Sequence, residues 1–279
     1  MTNTKSATPS SVVGACRLCG EKRNLCASHL MPAGLYRGLR SRTTPHPLII
    51  TSKATFTSSR QVKEYLLCVE CEERFRTHGE NWVQEHCFKR EPEFKLRDLL
   101  LECQPVSKDP LATFYAGSSN SRIDSERLTY FAASVFWRAS VHEWNLPVIG
   151  RKAPINLGPC ESLFQNYLSG RSLFPQSAAL WTWVSRAQIP SRVVDIPHTR
   201  HLWNCEVHSF NIPGIRFDLF VGRELPSFVR AMCTLNGPDR PILLSDVPDM
   251  VLASHVEQMS TTTRLSKGLT SLGNWRWTR

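Results

Sequence analysis

The chain has 279 residues, 41% hydrophobic and 21% charged, with 34 Lys+Arg against 24 Asp+Glu and a formal net charge of +10. That apolar fraction can build a core, which excludes a wholly disordered chain, and the length allows one large domain or two modest ones. No run approaches the roughly 18 uncharged apolar residues of a membrane span, and the opening MTNTKSATPSSVV has no apolar region behind a basic start. The expectation is a cytoplasmic protein with no membrane partner.

The positive balance favours a polyanionic partner, through attraction to phosphates and release of their counterions. Its distribution sharpens the point. Between residues 16 and 60 stand Arg17, Lys22, Arg23, Arg37, Arg40, Arg42, Lys53 and Arg60, against the single acid Glu21.

In chain order, residues 1–13 are small and polar and read as a flexible tail. A Cys16-x-x-Cys19 turn precedes the apolar stretch 25–30. Residues 48–56 and 62–68 read as strands, so 48–68 is expected to form a hairpin turning at 57–60. From Glu70 to about Arg90 the spacing predicts a helix with Cys71, Phe75, Trp82 and His86 on one face and Gly79 as its weak point. Glu80 reads as a solvated charge on that helix. Residues 94–103 form a short helix and 105–121 a loop.

Residues 125–144 carry the strongest helical pattern, with Ser125 as N-cap and Arg138 as a buried ion-pair partner within an apolar face. A further helix over 159–168 ends at Gly170. Four β-branched and aromatic runs follow, at 179–185, 192–196, 203–212 and 215–221, which predict a small antiparallel sheet. The fold class is therefore α+β, with an N-terminal domain over 14–104 and a larger substrate- or partner-binding domain over 105–279.

Ten cysteines in a cytoplasmic chain are not expected to form disulfides. Four of them fall as two CxxC pairs, Cys16/Cys19 and Cys68/Cys71. One CxxC turn places two thiolates on the same side of an ion, and two such turns complete the tetrahedral four-sulfur set that structural Zn²⁺ takes. The other six read as ordinary small side chains.

Between the pairs lies Leu25-Cys26-Ala27-Ser28-His29-Leu30-Met31-Pro32, and Glu72 follows Cys71 directly. With these motifs, residues from about 14 to 90 resemble the HNH endonucleases, the zinc-stapled branch of the His-Me finger nucleases. That pattern is CxxC, an apolar strand, an acidic residue then His-x-x-Pro, and a second CxxC followed by His or Asn at a helix start. Ser28 stands where the family carries Asp or His, and Glu72 where it carries His or Asn.

The resemblance implies a ββα-metal fold of treble-clef type that hydrolyses DNA. It gives His29 the role of general base and Glu72 that of ligand to a catalytic divalent cation, usually Mg²⁺. It also brings a context of phage defence or mobile elements and a protein partner such as an ATPase. The basic residues Arg37, Arg40, Arg42, Lys53 and Arg60 are expected to follow the DNA backbone. The alternative is a non-catalytic zinc treble-clef module that docks nucleic acid or a protein. Ser28 argues for it, whereas His29 with Glu72 argues for the enzyme.

Overall fold

The computed structural model describes residues 12–39, 48–50, 54–57, 61–87, 93–147, 149–188, 193–262 and 264–265. The chain begins with strands β1 (Val12–Ala15) and β2 (Lys22–His29), which pair antiparallel with Val12 opposite Leu25. Val12 and Val13, expected in the tail, are thus strand residues. The first cysteine pair occupies the turn between them. Gly20, at φ +80°, donates its N–H to the Cys16 carbonyl at 2.8 Å and lets the chain reverse where a side chain would be strained.

After Pro32 comes the short helix α1 (Ala33–Gly38), then strands β3 (Leu48–Ile50) and β4 (Ala54–Thr57), which pair with each other. Strand β5 (Lys63–Cys68) pairs with β2, placing Leu25 opposite Cys68 and His29 opposite Lys63. This corrects the hairpin expected over 48–68. The cysteines supply the reason: Cys68 must reach Cys16 and Cys19 at the head of β2, and pairing along β2 brings it there.

From Cys68 the chain enters α2 (Val69–Phe75), one π-helical turn over Arg76–Glu80, and α3 (Asn81–His86). The uninterrupted helix expected from 70 to 90 therefore carries a π turn. Gly79 sits in that turn, and a Cβ there would lie 2.8 Å from the backbone N of Phe131. Its lack of a side chain is what allows the turn to meet a second helix backbone to backbone.

That second helix is reached through α4 (Lys95–Leu101) and the strands β6 (Ser107–Lys108) and β7 (Ala112–Ala116), the latter lying in the stretch expected to be loop. Helix α5 (Ser125–Val141) is capped by Asp124, whose carboxylate accepts the Arg127 N–H at 2.9 Å. Ser125 is not the cap; it is the first helical residue and is buried. Asp124 wins because its side chain reaches the open N–H of Arg127, three residues on.

The rest comprises β8 (Trp144–Leu146), β9 (Gly150–Lys152), α6 (Cys160–Leu168), β10 (Ala178–Ser185), β11 (His198–Leu202), β12 (Cys205–Ile212), β13 (Ile215–Val221), α7 (Ser227–Ala231), β14 (Pro241–Ser245), α8 (Val247–Thr262) and β15 (Arg264–Leu265). Seven strands form one sheet in the order β11-β12-β13-β10-β14-β7-β6, antiparallel except for the β10–β14 pair. It is larger than the small antiparallel sheet expected. Of the run 192–196 read as strand, the described residues 193–196 lie outside it, and β11 begins at His198.

Helix α5 lies at the centre of the molecule. Phe136 meets Phe210 edge to face at 4.9 Å and Phe131 meets Phe217 at 5.9 Å on the sheet. On the opposite side Trp137 meets Phe75 of α2 edge to face at 6.0 Å. One buried cluster thus runs from Cys16 to Leu244, so residues 14–104 and 105–279 share a core. Among the described residues no helix is long and apolar enough to cross a membrane.

The close approach at Gly79 is directly testable. Gly79→Ala should destabilise the protein by about 1–3 kcal/mol, because the added methyl must push two backbones apart. The effect should appear as a lower urea midpoint at an unchanged denaturant slope. An unchanged midpoint would contradict the contact.

Candidate functional site

The β1–β2 turn carries Cys16 and Cys19, while β5 and the first turn of α2 carry Cys68 and Cys71. Their sulfurs all lie within 4.8 Å of one another, with Cys19 and Cys68 at 4.0 Å. A tetrahedral Zn²⁺ with bonds of about 2.3 Å needs sulfurs about 3.8 Å apart, so this cluster is compatible with a structural zinc site. Backbone contacts support it: the Cys68 N–H donates to Cys16 Sγ at 3.3 Å and the Arg17 N–H to the Leu66 carbonyl at 3.1 Å. From α6, the Gln165 amide donates to the carbonyls of Arg17 and Leu18 at 2.8 and 3.0 Å.

The crowding of thiols separates their acidities. Hydrogen bonding from Cys71 pushes Cys16 down to about 4, towards the thiolate that binds metal, and the same contact pushes Cys71 up. Burial pushes Cys68 up to about 11. Among the described residues these four form the group of His, Cys, Asp or Glu side chains close enough to share an ion. The other six cysteines are free and lie outside it.

His29 is the last residue of β2. Its Nε2 lies 2.6 Å from Gln61 Oε1, and its ring stands 6.3 Å from that of Tyr36 on α1. An amide oxygen only accepts, so this contact places the ring proton on Nε2 and leaves the lone pair on Nδ1. Burial pushes the imidazole below the ordinary histidine value. The Gln61 hydrogen bond and the Glu72 carboxylate oppose that shift, and the Arg138 and Lys63 charges reinforce it.

Glu72 lies in α2 immediately after Cys71. Its Oε1 is buried and has no hydrogen-bond partner. A carboxylate oxygen held from water without a donor is costly, and it is the kind of atom a hard divalent cation binds. The Glu72 charge also favours the protonated His29 ring, against the effect of burial.

Ser28 does something else. It is 1% exposed, its Oγ accepts the Leu67 N–H at 3.2 Å, and it donates to the Cys26 carbonyl at 3.5 Å. It thereby bridges the bulge where the β2–β5 register shifts between Cys26 and Ala27. The hydroxyl is a backbone partner for a broken ladder. Glu80 also departs from expectation: its side chain is 13% exposed and pairs with Arg138 at 2.9 Å. The π turn rotates Glu80 away from the solvent phase of a regular helix and towards α5.

Of the basic residues expected at a nucleic-acid surface, Arg37 is exposed on α1. Arg40, Arg42, Lys53 and Arg60 lie outside the described residues. Sequence reasoning missed Gln61, which belongs to no motif and meets His29 only through the β2–β5 pairing. It foresaw a buried ion pair for Arg138 but not its partner. Comparisons with protein families, with curated proteins and with solved structures find no match to this chain.

The metal content follows from the four sulfurs. Purified protein should carry about one zinc per chain, and Cys68→Ser should lose it along with much of its thermal stability, because ligand binding at such a site is folding energy. Folded wild-type protein free of metal, measured by emission spectrometry, would contradict the assignment.

Proposed function

We propose that the chain is a metal-dependent endonuclease of HNH type that hydrolyses DNA phosphodiester bonds. The observation that carries this reading is the buried Glu72 oxygen without a hydrogen-bond partner, in a chain whose His29 ring is held at Nε2 by Gln61. The order of cysteine knuckle, antiparallel β2–β5 pair and α2 supports the treble-clef form of the ββα-metal motif.

His29 Nδ1 takes the proton from the attacking water. Burial favours the neutral ring, so the base is ready at neutral pH rather than protonated. Gln61 keeps the tautomer and the ring orientation through the transfer. Glu72 Oε1 would hold a divalent cation, which when bound supplies stabilisation for the charge on the scissile phosphate. Arg37 and its basic neighbours in the sequence, Arg40 and Arg42, with Lys53 and Arg60, attract the DNA backbone without reading its bases.

Ser28 favours a second reading. Its hydroxyl serves the β-bulge, which leaves the family's usual ligand position without a metal-binding side chain. On that reading the module docks nucleic acid or a protein partner and cleaves nothing.

His29→Ala should lower Mg²⁺-dependent nicking of supercoiled DNA by about 10²–10⁴ while zinc content stays at one per chain. The pH profile should follow the sign of the shift. The neutral imidazole is the active form and burial lowers its pKa, so the rate should hold from neutral pH down past the ordinary value of about 6.5 and fall only below it. Wild-type protein that nicks no DNA with any divalent cation across that range would hand the chain to the docking reading.

A further inference from the structure

Arg138 lies in the last turn of α5, a helix whose other buried residues are mostly apolar, and is 1% exposed. A guanidinium in that position must be matched by acceptors or it would unfold the core. Each arm of the fork has one. Nη1 donates to the carbonyl of His29 at 3.1 Å, Nη2 to Glu80 Oε1 at 2.9 Å and to Ser134 Oγ at 3.3 Å, and Nε to the Ser134 carbonyl at 3.3 Å. The cation also lies 5.3 Å from the centre of the Phe75 ring, and Trp144 Nε1 donates to the Arg138 carbonyl at 2.9 Å.

The contact with His29 falls on one peptide unit, the one joining His29 to Leu30. Its oxygen accepts from Arg138, and its N–H donates to the Val62 carbonyl at 3.0 Å. Fixing both ends of that planar peptide fixes the His29 Cα–C bond, and with the β2–β5 pairing of His29 to Lys63 holding the preceding side of the residue the direction of Cα–Cβ is set. Gln61, next to Val62, then fixes the ring itself. A strand end, where the ladder stops, is otherwise the place where a side chain is held least well.

We propose that Arg138 is a positioning residue for His29: Glu80 and Ser134 orient its guanidinium, which clamps the His29–Leu30 peptide and so lets the body of the protein set the placement of the imidazole. The inference rests on His29 being the working base. Arg138 touches no reacting atom; it acts through the peptide it holds. A lysine would keep the charge yet could not span these four acceptors from one planar fork. Glu80, in the π turn, is the second half of the device, because it aims the fork at the strand end.

The His-Leu dipeptide occurs twice in the chain, at His29-Leu30 and at His201-Leu202. Full-length, zinc-replete protein labelled with ¹³C-carbonyl histidine and ¹⁵N-leucine therefore gives two peptide signals, one at the clamp and one as an internal reference. Arg138→Lys and Glu80→Ala should displace or broaden the first and leave the second in place, and Glu80→Gln, which keeps the accepting oxygen, should restore most of the shift. In nicking assays Arg138→Lys should lower kcat by about tenfold to a hundredfold at unchanged KM, the cost of a base displaced by a fraction of an ångström to an ångström. Should Arg138→Lys fail to fold, the two Glu80 variants carry the test by the same signal. A His29–Leu30 signal unmoved in every folded variant overturns the proposal. A signal that moves in a protein that cleaves no DNA leaves the clamp standing and removes the nuclease reading instead.

Discussion

Four sulfurs gathered within 4.8 Å are the constraint on which the N-terminal part of the structure depends. The first pair sits in the turn that opens β2 and the second at the joint between β5 and α2. Bringing the pairs together therefore does three things at once: it sets the β2–β5 register, it starts α2 beside the strand, and it leaves His29 and Glu72 on elements whose relative placement is fixed. A three-stranded sheet this small has little core of its own, and Val13 on β1 and Tyr65 on β5 are exposed. The roughly 10–16 kcal/mol that a structural zinc can contribute is large against the few kcal/mol such a unit could otherwise command.

The body of the protein provides the second brace. Helix α5 approaches the π turn at Gly79 closely enough that only glycine fits, and from that contact Arg138 and Glu80 meet. Gln165 reaches from α6 to the cysteine knuckle. The zinc-type module is thus held from its metal side and from its strand end by residues far downstream. Removing the C-terminal part would leave Phe75 and the knuckle carbonyls without their partners, so residues 14–104 are better viewed as one face of a shared core than as a free-standing unit.

The spacing of the cysteines and the long apolar helix α5 were legible in the residues, because each is a local pattern, whereas the strand that ends at His29 was expected only through the family resemblance. Strand pairing was not. Residues 63–68 could pair with 48–56 next to them or with 22–29 far upstream, and only the demand that Cys68 meet Cys16 decides between these. The strands ATFYA and PILLS escaped notice because both are buried throughout or nearly so and show no alternation, and the second opens with a proline that reads as a turn. Glu80 was misplaced because a helical wheel assumes 3.6 residues per turn, and one π turn shifts every later side chain. Gln61 could not be found by spacing at all, since its contact with His29 exists only once β2 and β5 are paired.

On the proposed reading two distinct metal positions share this module, one among the four sulfurs and one at the buried Glu72 oxygen. Anomalous diffraction from crystals of zinc-replete protein soaked in Mn²⁺, recorded at both absorption edges, tests it most directly. The expected result is a zinc peak among Cys16, Cys19, Cys68 and Cys71 and a separate manganese peak against Glu72 Oε1. A zinc peak alone, with Glu72 Oε1 bound only to protein or water in crystals that hold manganese elsewhere, would contradict it.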